Sequence, residues 1–140
     1  MRCTIVSQSN IELIWSSVEK FISDAFSKHN GDETEEDTRK LLELGKAQLW
    51  IAHDPRGIRA AAVTRLATVP SGRRVCFCMA CGGRGLAEWL DAGMKEIEKF
   101  AKANRCDVVR LSGRRGWREA FKPLGYKEPF VILEKALHSV

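Results

Sequence analysis

Long hydrophobic runs are missing from this 140-residue sequence. A transmembrane helix needs about 20 consecutive apolar residues, so a helical membrane span is excluded. The opening stretch Met1-Arg2-Cys3-Thr4-Ile5-Val6-Ser7 is too brief an apolar segment for a secretory signal, and a soluble cytoplasmic protein is the expectation. Histidine is scarce and scattered over His29, His53 and His138. No second CxxC or HxxxH pair accompanies Cys78 and Cys81, so no metal site is expected. The cysteines Cys3, Cys76, Cys78, Cys81 and Cys106 are odd in number and read as reduced thiols, with Cys76 and Cys78 filling one strand face. Repeats and low-complexity tracts are absent as well, which leaves one domain over residues 1–140.

What is present is an ordinary globular composition, 44% hydrophobic and 29% charged, which argues against disorder. The formal charge of +5 is unevenly placed. Residues 1–70 carry nine basic and ten acidic side chains, whereas residues 71–140 carry fourteen and eight. A basic C-terminal half can attract nucleic acid, an anionic surface or a phosphorylated small ligand, and charge alone does not choose among them.

Periodicity divides the chain into alternating elements. A short strand at 1–7 is followed by Ser9 and Glu12 at capping-box spacing. Ile11, Ile14, Trp15, Val18, Phe21, Ile22, Ala25 and Phe26 then recur at three- and four-residue steps, predicting a helix over about 10–28. Thr34 caps a second, shorter helix whose first turn holds Glu35, Glu36 and Asp37, matching the helix dipole. Strands are expected at 48–53, 58–69 and 74–81, separated by turns rich in Pro and Gly. In the third of these, Val75, Phe77 and Met79 fall on one face and Cys76, Cys78 and Ala80 on the other, the pattern of a central strand covered on both sides. The longest helix follows from Leu86, with Leu90, Met94, Ile97 and Ala101 on its buried stripe. A strand at 107–112, a short helix from Trp117 ended by Pro123, and two short strands at 126–130 and 131–136 complete the series. The order β-α-α-β-β-β-α-β-α-β-β predicts an α/β fold with a mixed, mostly antiparallel sheet of about six to seven strands flanked by helices.

Two segments carry the chemistry. Gly82-Gly83-Arg84-Gly85 stands between a central strand and a helix N-terminus, where backbone N–H groups and the helix dipole suit a pyrophosphate. Tight strand–helix turns also use glycine for steric reasons alone, and neither Walker A nor the full Rossmann fingerprint is present. The second segment runs from Arg110 to Arg118, where four arginines and Trp117 can meet phosphates and stack on a base, or form a basic turn anchored by its indole. Arg114 and Arg115 are its expected exposed charges.

The element order, Gly82-Gly83-Arg84-Gly85-Leu86-Ala87, and Glu119-Ala120-Phe121-Lys122-Pro123-Leu124-Gly125-Tyr126 together resemble the GNAT superfamily of acyl-CoA N-acyltransferases. That family carries a Gln/Arg-x-x-Gly-x-Gly/Ala loop for the CoA pyrophosphate and a later Asn-x-x-Ala-x-x-x-Tyr-x-x-x-Gly-Phe motif. The segment 106–111 also resembles its fifth strand. The likeness is closest to degenerate, some of them phage-associated, members. It implies acetyl-CoA as acyl donor, an amine as acceptor, no metal and no membrane. Met79 and Cys81 would meet the pantetheine arm, and Gly83, Arg84, Gly85, Leu86 and Ala87 the pyrophosphate. The acceptor is not specified, and a homodimer is compatible with the family. This sequence departs from the pattern at Gly82, in the Gln/Arg position, and at Phe121, where many members carry the tyrosine that protonates the leaving thiolate. No catalytic residue is assigned: His53 and Glu88 are thin candidates for a base, and Cys81 has no basic neighbour to activate it. A GNAT fold without catalysis, acting as a binding or structural module, is the alternative. Nucleic-acid binding through Arg114 and Arg115 ranks third.

Overall fold

A computed structural model describes residues 1–27, 32–113 and 115–138. Strands β1 (Arg2–Val6), β2 (Gln48–Asp54), β3 (Gly57–Thr68), β4 (Arg74–Gly83) and β5 (Val108–Leu111) form one sheet in the order β1-β2-β3-β4-β5. Neighbours are antiparallel except β4 and β5, which are parallel. A parallel pair needs a crossover, and α3 (Leu86–Ala103) supplies it. Helices α1 (Ile11–Ser27), α2 (Glu35–Glu43) and α4 (Gly116–Phe121) complete the set, with short 3-10 turns at Gln8–Asn10 and Lys122–Leu124.

Each face of the sheet holds its own core. Ile11, Trp15, Val18 and Ile22 from α1 and Leu42 from α2 bury against Leu49, Ala61, Val63 and Met79. Trp89, Leu90, Met94, Ile97 and Ala101 from α3, with Phe121 from α4, bury against Trp50, Ala52, Ala60, Ala62, Cys76 and Cys78. The apolar stripes read from the sequence therefore face the sheet as their helical spacing requires. Thr64 is fully buried among these side chains and is satisfied there: Trp50 Nε1 donates to its hydroxyl at 2.9 Å, and that hydroxyl donates to Gln48 Oε1 at 2.8 Å. Thr34 caps α2 as expected, its hydroxyl accepting the Asp37 N–H at 3.1 Å.

Two sequence expectations need correction. The sheet has five strands instead of six or seven, because residues 126–138 carry no helix or strand. Strand propensity at 126–136 is real, but a strand also needs a neighbour to pair with, which propensity does not supply. The strict alternation expected along β4 also fails. Val63 lies opposite Ala80 and Thr64 opposite Cys78, so Met79 is an extra residue, a β-bulge. Past it, Ala80 shares the face of Val63 with Met79, and Cys81 joins the α3 side.

Candidate functional site

The bulge stands where β4 and β5 part. The parallel ladder ends with Cys78 opposite Leu111, while β4 continues to Gly83. From Met79 onward β4 thus has an edge that β5 does not pair. Beside it opens a cleft of about 230 Å³. Its walls are the end of β4, Lys20, Phe21, Asp24 and Ala25 of α1, Leu111 and Ser112 after β5, and Trp117 and Phe121 of α4. At one end it reaches Arg84, Leu86 and Trp89, where α3 begins.

Glycine at 82 and 83 is demanded by packing. A Cβ on Gly82 would stand 2.6 Å from the Phe21 carbonyl oxygen, so α1 crosses β4 at a distance no other residue permits. A Cβ on Gly83 would meet Ala60 Cα and the Arg59 carbonyl oxygen, both at 2.6 Å. The steric reading of these two glycines is therefore sufficient. Gly85 differs: its φ of +67° places it in the left-handed region as the residue before α3.

The loop is braced from beneath. Trp89, buried, donates its Nε1 to the Arg84 carbonyl at 3.0 Å, and the Arg84 N–H donates to the Arg59 carbonyl at 2.9 Å. The Glu88 N–H donates to the Gly85 carbonyl at 2.8 Å. Helix geometry leaves the amides of Leu86 and Ala87 without an intrahelical acceptor, at the positive end of the dipole. The Arg84 side chain is exposed beside them. Glu88 sits on the same turn and is paired with Arg56 at 3.2 Å, which also binds Asp54 at 2.7 Å. That pairing holds the Asp54 carboxyl below its ordinary range, chiefly through the side-chain hydrogen bond from Arg56.

The sequence-derived site residues are distributed as follows. Met79, Cys81, Gly83, Arg84 and Leu86 line the cleft, whereas Gly85, just before α3, and Ala87, in its first turn, are exposed outside its wall. Trp117 lines it too, while Arg115 is exposed and takes no part, and Arg114 lies outside the described residues. The other two arginines of that segment are engaged in the fold. Arg118 pairs with Glu128 at 2.5 Å, and the Arg110 guanidinium lies 5.6 Å from the Phe77 ring. His53 is near the C-terminal end of β2, opposite Arg2, and does not line the cleft. The Cys81 thiol is pushed well above its ordinary range by a hydrogen bond with Cys78 and by burial, which opposes a thiolate nucleophile. Phe121 is buried, with its ring in T-shaped contact with Trp117 at 5.3 Å and Tyr126 at 5.1 Å.

Lys20, Asp24 and Ser112 are cleft residues that sequence reading missed. Phe21 and Ala25 lay on the apolar stripe of α1, which marked them as core. Which end of the stripe reaches the open strand edge depends on the helix crossing, and no sequence spacing records that.

No family model matches the sequence, and no curated protein matches it either. Solved structures match across nearly the whole chain. A probable acetyltransferase superposes with a TM-score of 0.72 at 11% identity, covering 100% of this chain and 99% of that one. A ribosomal-protein-alanine N-acetyltransferase from Brucella melitensis gives 0.70 at 10% identity, over 98% and 100%. A structure from Clostridium acetobutylicum, a predicted acetyltransferase with acetyl-CoA, gives 0.65 at 19% identity, over 97% and 96%. The chain has the fold of the GNAT superfamily. No helix among the described residues is long and apolar enough to cross a membrane.

Proposed function

We propose that the protein is an N-acyltransferase that carries an acetyl group from acetyl-CoA to an amine. The observation that supports this reading is the free edge of β4 at Met79–Gly83, opening on a cleft that runs to the start of α3. The pantetheine arm carries amides and extends β4 as a strand would, along Met79 to Cys81. The phosphates meet the first-turn amides of Leu86 and Ala87, the left-handed Gly85 and the Arg84 guanidinium. The acceptor approaches along α1. Asp24 is the one carboxylate among the described lining residues and attracts a cationic amine, then accepts its proton directly or through water. The neutral amine attacks the thioester carbonyl. The C–N bond forms, the C–S bond breaks, and the thiolate leaves. Phe121 has no hydroxyl to give, so the thiolate takes its proton from solvent.

A second reading, a GNAT-fold module that binds an acyl-CoA without turnover, is favoured by that same phenyl ring. Calorimetry with acetyl-CoA and a thiol-release assay over an amine panel separate the two. Binding with thiol release supports catalysis, binding without it supports the module, and no heat at millimolar acetyl-CoA overturns both. Arg84→Ala is expected to weaken donor binding by roughly tenfold, as for one lost charge-assisted contact. Asp24→Asn should raise the KM for the amine and leave donor binding unchanged.

A further inference from the structure

Adjacent strands carry a cationic ladder on the α1 face of the sheet, next to the cleft. Arg65 of β3 stands opposite Phe77 of β4, and Phe77 stands opposite Arg110 of β5. The Arg65 guanidinium lies 4.7 Å from the centre of the Phe77 ring, and that of Arg110 lies 5.6 Å from it. Phe130 adds a second ring, 5.7 Å from the Arg110 guanidinium. Phe77 itself is half-buried against the α1-side core. Glu33 reaches Arg65 at 3.5 Å, but no carboxylate among the described residues pairs with Arg110.

A ring face attracts a guanidinium through its quadrupole yet supplies no ordinary hydrogen-bond acceptor. A guanidinium held by rings keeps its planar N–H fork, which fits a carboxylate or phosphate at two points. Arg110 is half-buried, where such a partner counts for more than on open surface. Its position supplies the second half of the argument. Leu111 and Ser112, the next two residues, line the cleft, as does Met79, two residues along β4 from Phe77. Arg110 thus lies roughly 3–7 Å along the sheet from the β4 wall of the cleft, one to two strand rises. On the α1 wall, Asp24 has no ion pair among the described residues, and Lys20 adds a second cation to the same mouth.

We propose that the acceptor is an amine that also bears an oxyanion, an amino carboxylate or amino phosphate, whose anionic group binds the Arg110 guanidinium. The inference rests on the acyltransferase reading and names the acceptor class for it. The amine meets Asp24, the anion meets Arg110, and the few atoms between them lie over Met79 and the Phe77 ring. Opposite charges held at two points orient the amine toward the thioester carbonyl. A simple cationic amine lacks the second contact, and a polycation meets Arg110 with like charge. Phe77 and Phe130 hold the guanidinium before the ligand arrives, so less ordering opposes binding.

Calorimetry of the full chain tests this with β-alanine and γ-aminobutyrate, each against its own amide, and with phosphoethanolamine, alone and beside CoA. Acid and amide share the amine and differ in the anion. The expected result is binding of the anionic member roughly tenfold or more tighter than its amide. Phosphoethanolamine against β-alanine then tells phosphate from carboxylate. Arg110→Gln should bring the acid-to-amide ratio close to one, and Arg110→Lys should keep part of it. The ratio compares ligands within one variant, so a general loss of fold or of amine binding does not mimic the effect. Equal affinities for acid and amide in the native chain overturn the proposal. So does a preference that Arg110→Gln leaves intact, and so does failure of every ligand to bind. A chain that prefers the acids but binds no acetyl-CoA keeps this site and loses the acyltransferase reading. One that acetylates amides as well as acids keeps that reading and loses this site.

Discussion

Gly83 and Gly93 show how one residue type serves opposite ends. At Gly83 a methyl would strike the backbone of β3 at 2.6 Å, and backbone cannot swing aside. Gly83→Ala should lower stability by roughly 1–3 kcal/mol, as overpacking does. Gly93 lies inside α3, where a methyl would make ordinary contact with Cys3 Sγ at 3.8 Å. Gly93→Ala should raise stability by roughly 0.5–1 kcal/mol, the helix-propensity difference. Denaturant titration of the pair checks both signs. The buried thiols and the tyrosine make a further residue-scale prediction. Burial pushes the Cys76 thiol from 9.0 up to about 12. The Cys81 thiol is raised by its hydrogen bond with Cys78 and by burial, and Tyr126 by burial and its bond to Glu98. An unfolded chain releases these protons at ordinary values while the folded chain retains them. Stability is therefore complete below about pH 9 and falls as pH rises from there through the folded values. Unfolding midpoints at about pH 7 and about pH 10 should differ in that direction, and Cys76→Ala should flatten the slope.

The N-terminus of α3 is where one element decides between two demands. Glu88 stabilises the helix through its dipole and holds Arg56, yet it places a negative charge beside the loop proposed for the donor's phosphates. Glu88→Gln should cost roughly 0.3–1 kcal/mol of stability and tighten acetyl-CoA binding by a few-fold, because Arg56 is freed and the charge removed. Opposite movement of melting temperature and donor affinity, read by calorimetry, is the expected signature. Movement of both in the same direction would show that Glu88 acts on the fold alone. β4 is the other decisive element. Its composition announced a buried strand; the bulge at Met79 turns Cys81 toward α3, and the end of the β5 ladder at Leu111 leaves the strand end free on that side.

The whole molecule joins a core on each sheet face to an open sheet edge. Each sheet face is covered by helices, whereas among the described residues β5 pairs on one side only, with β4, and the apolar run after Glu128 pairs with no strand.

Local pattern determined much of this protein without help. The helical stripes from Ile11 and Leu86, the cap at Thr34, the hairpin at 54–57 and the glycine-rich turn before α3 are all short-range matters of periodicity and backbone conformation. The same loop residues therefore signalled the acyltransferase fold that the solved structures share. Three things needed the tertiary structure. The bulge at Met79 depends on how β3 registers against β4, and alternation alone points the other way. Asp24 and Lys20 reach the cleft because α1 crosses β4 within contact of Gly82, a distance set by packing between segments about sixty residues apart. The run at 130–133 has strand-forming residues but no strand, since a ladder forms only where a segment is held in register along an edge, and residue type does not set that placement.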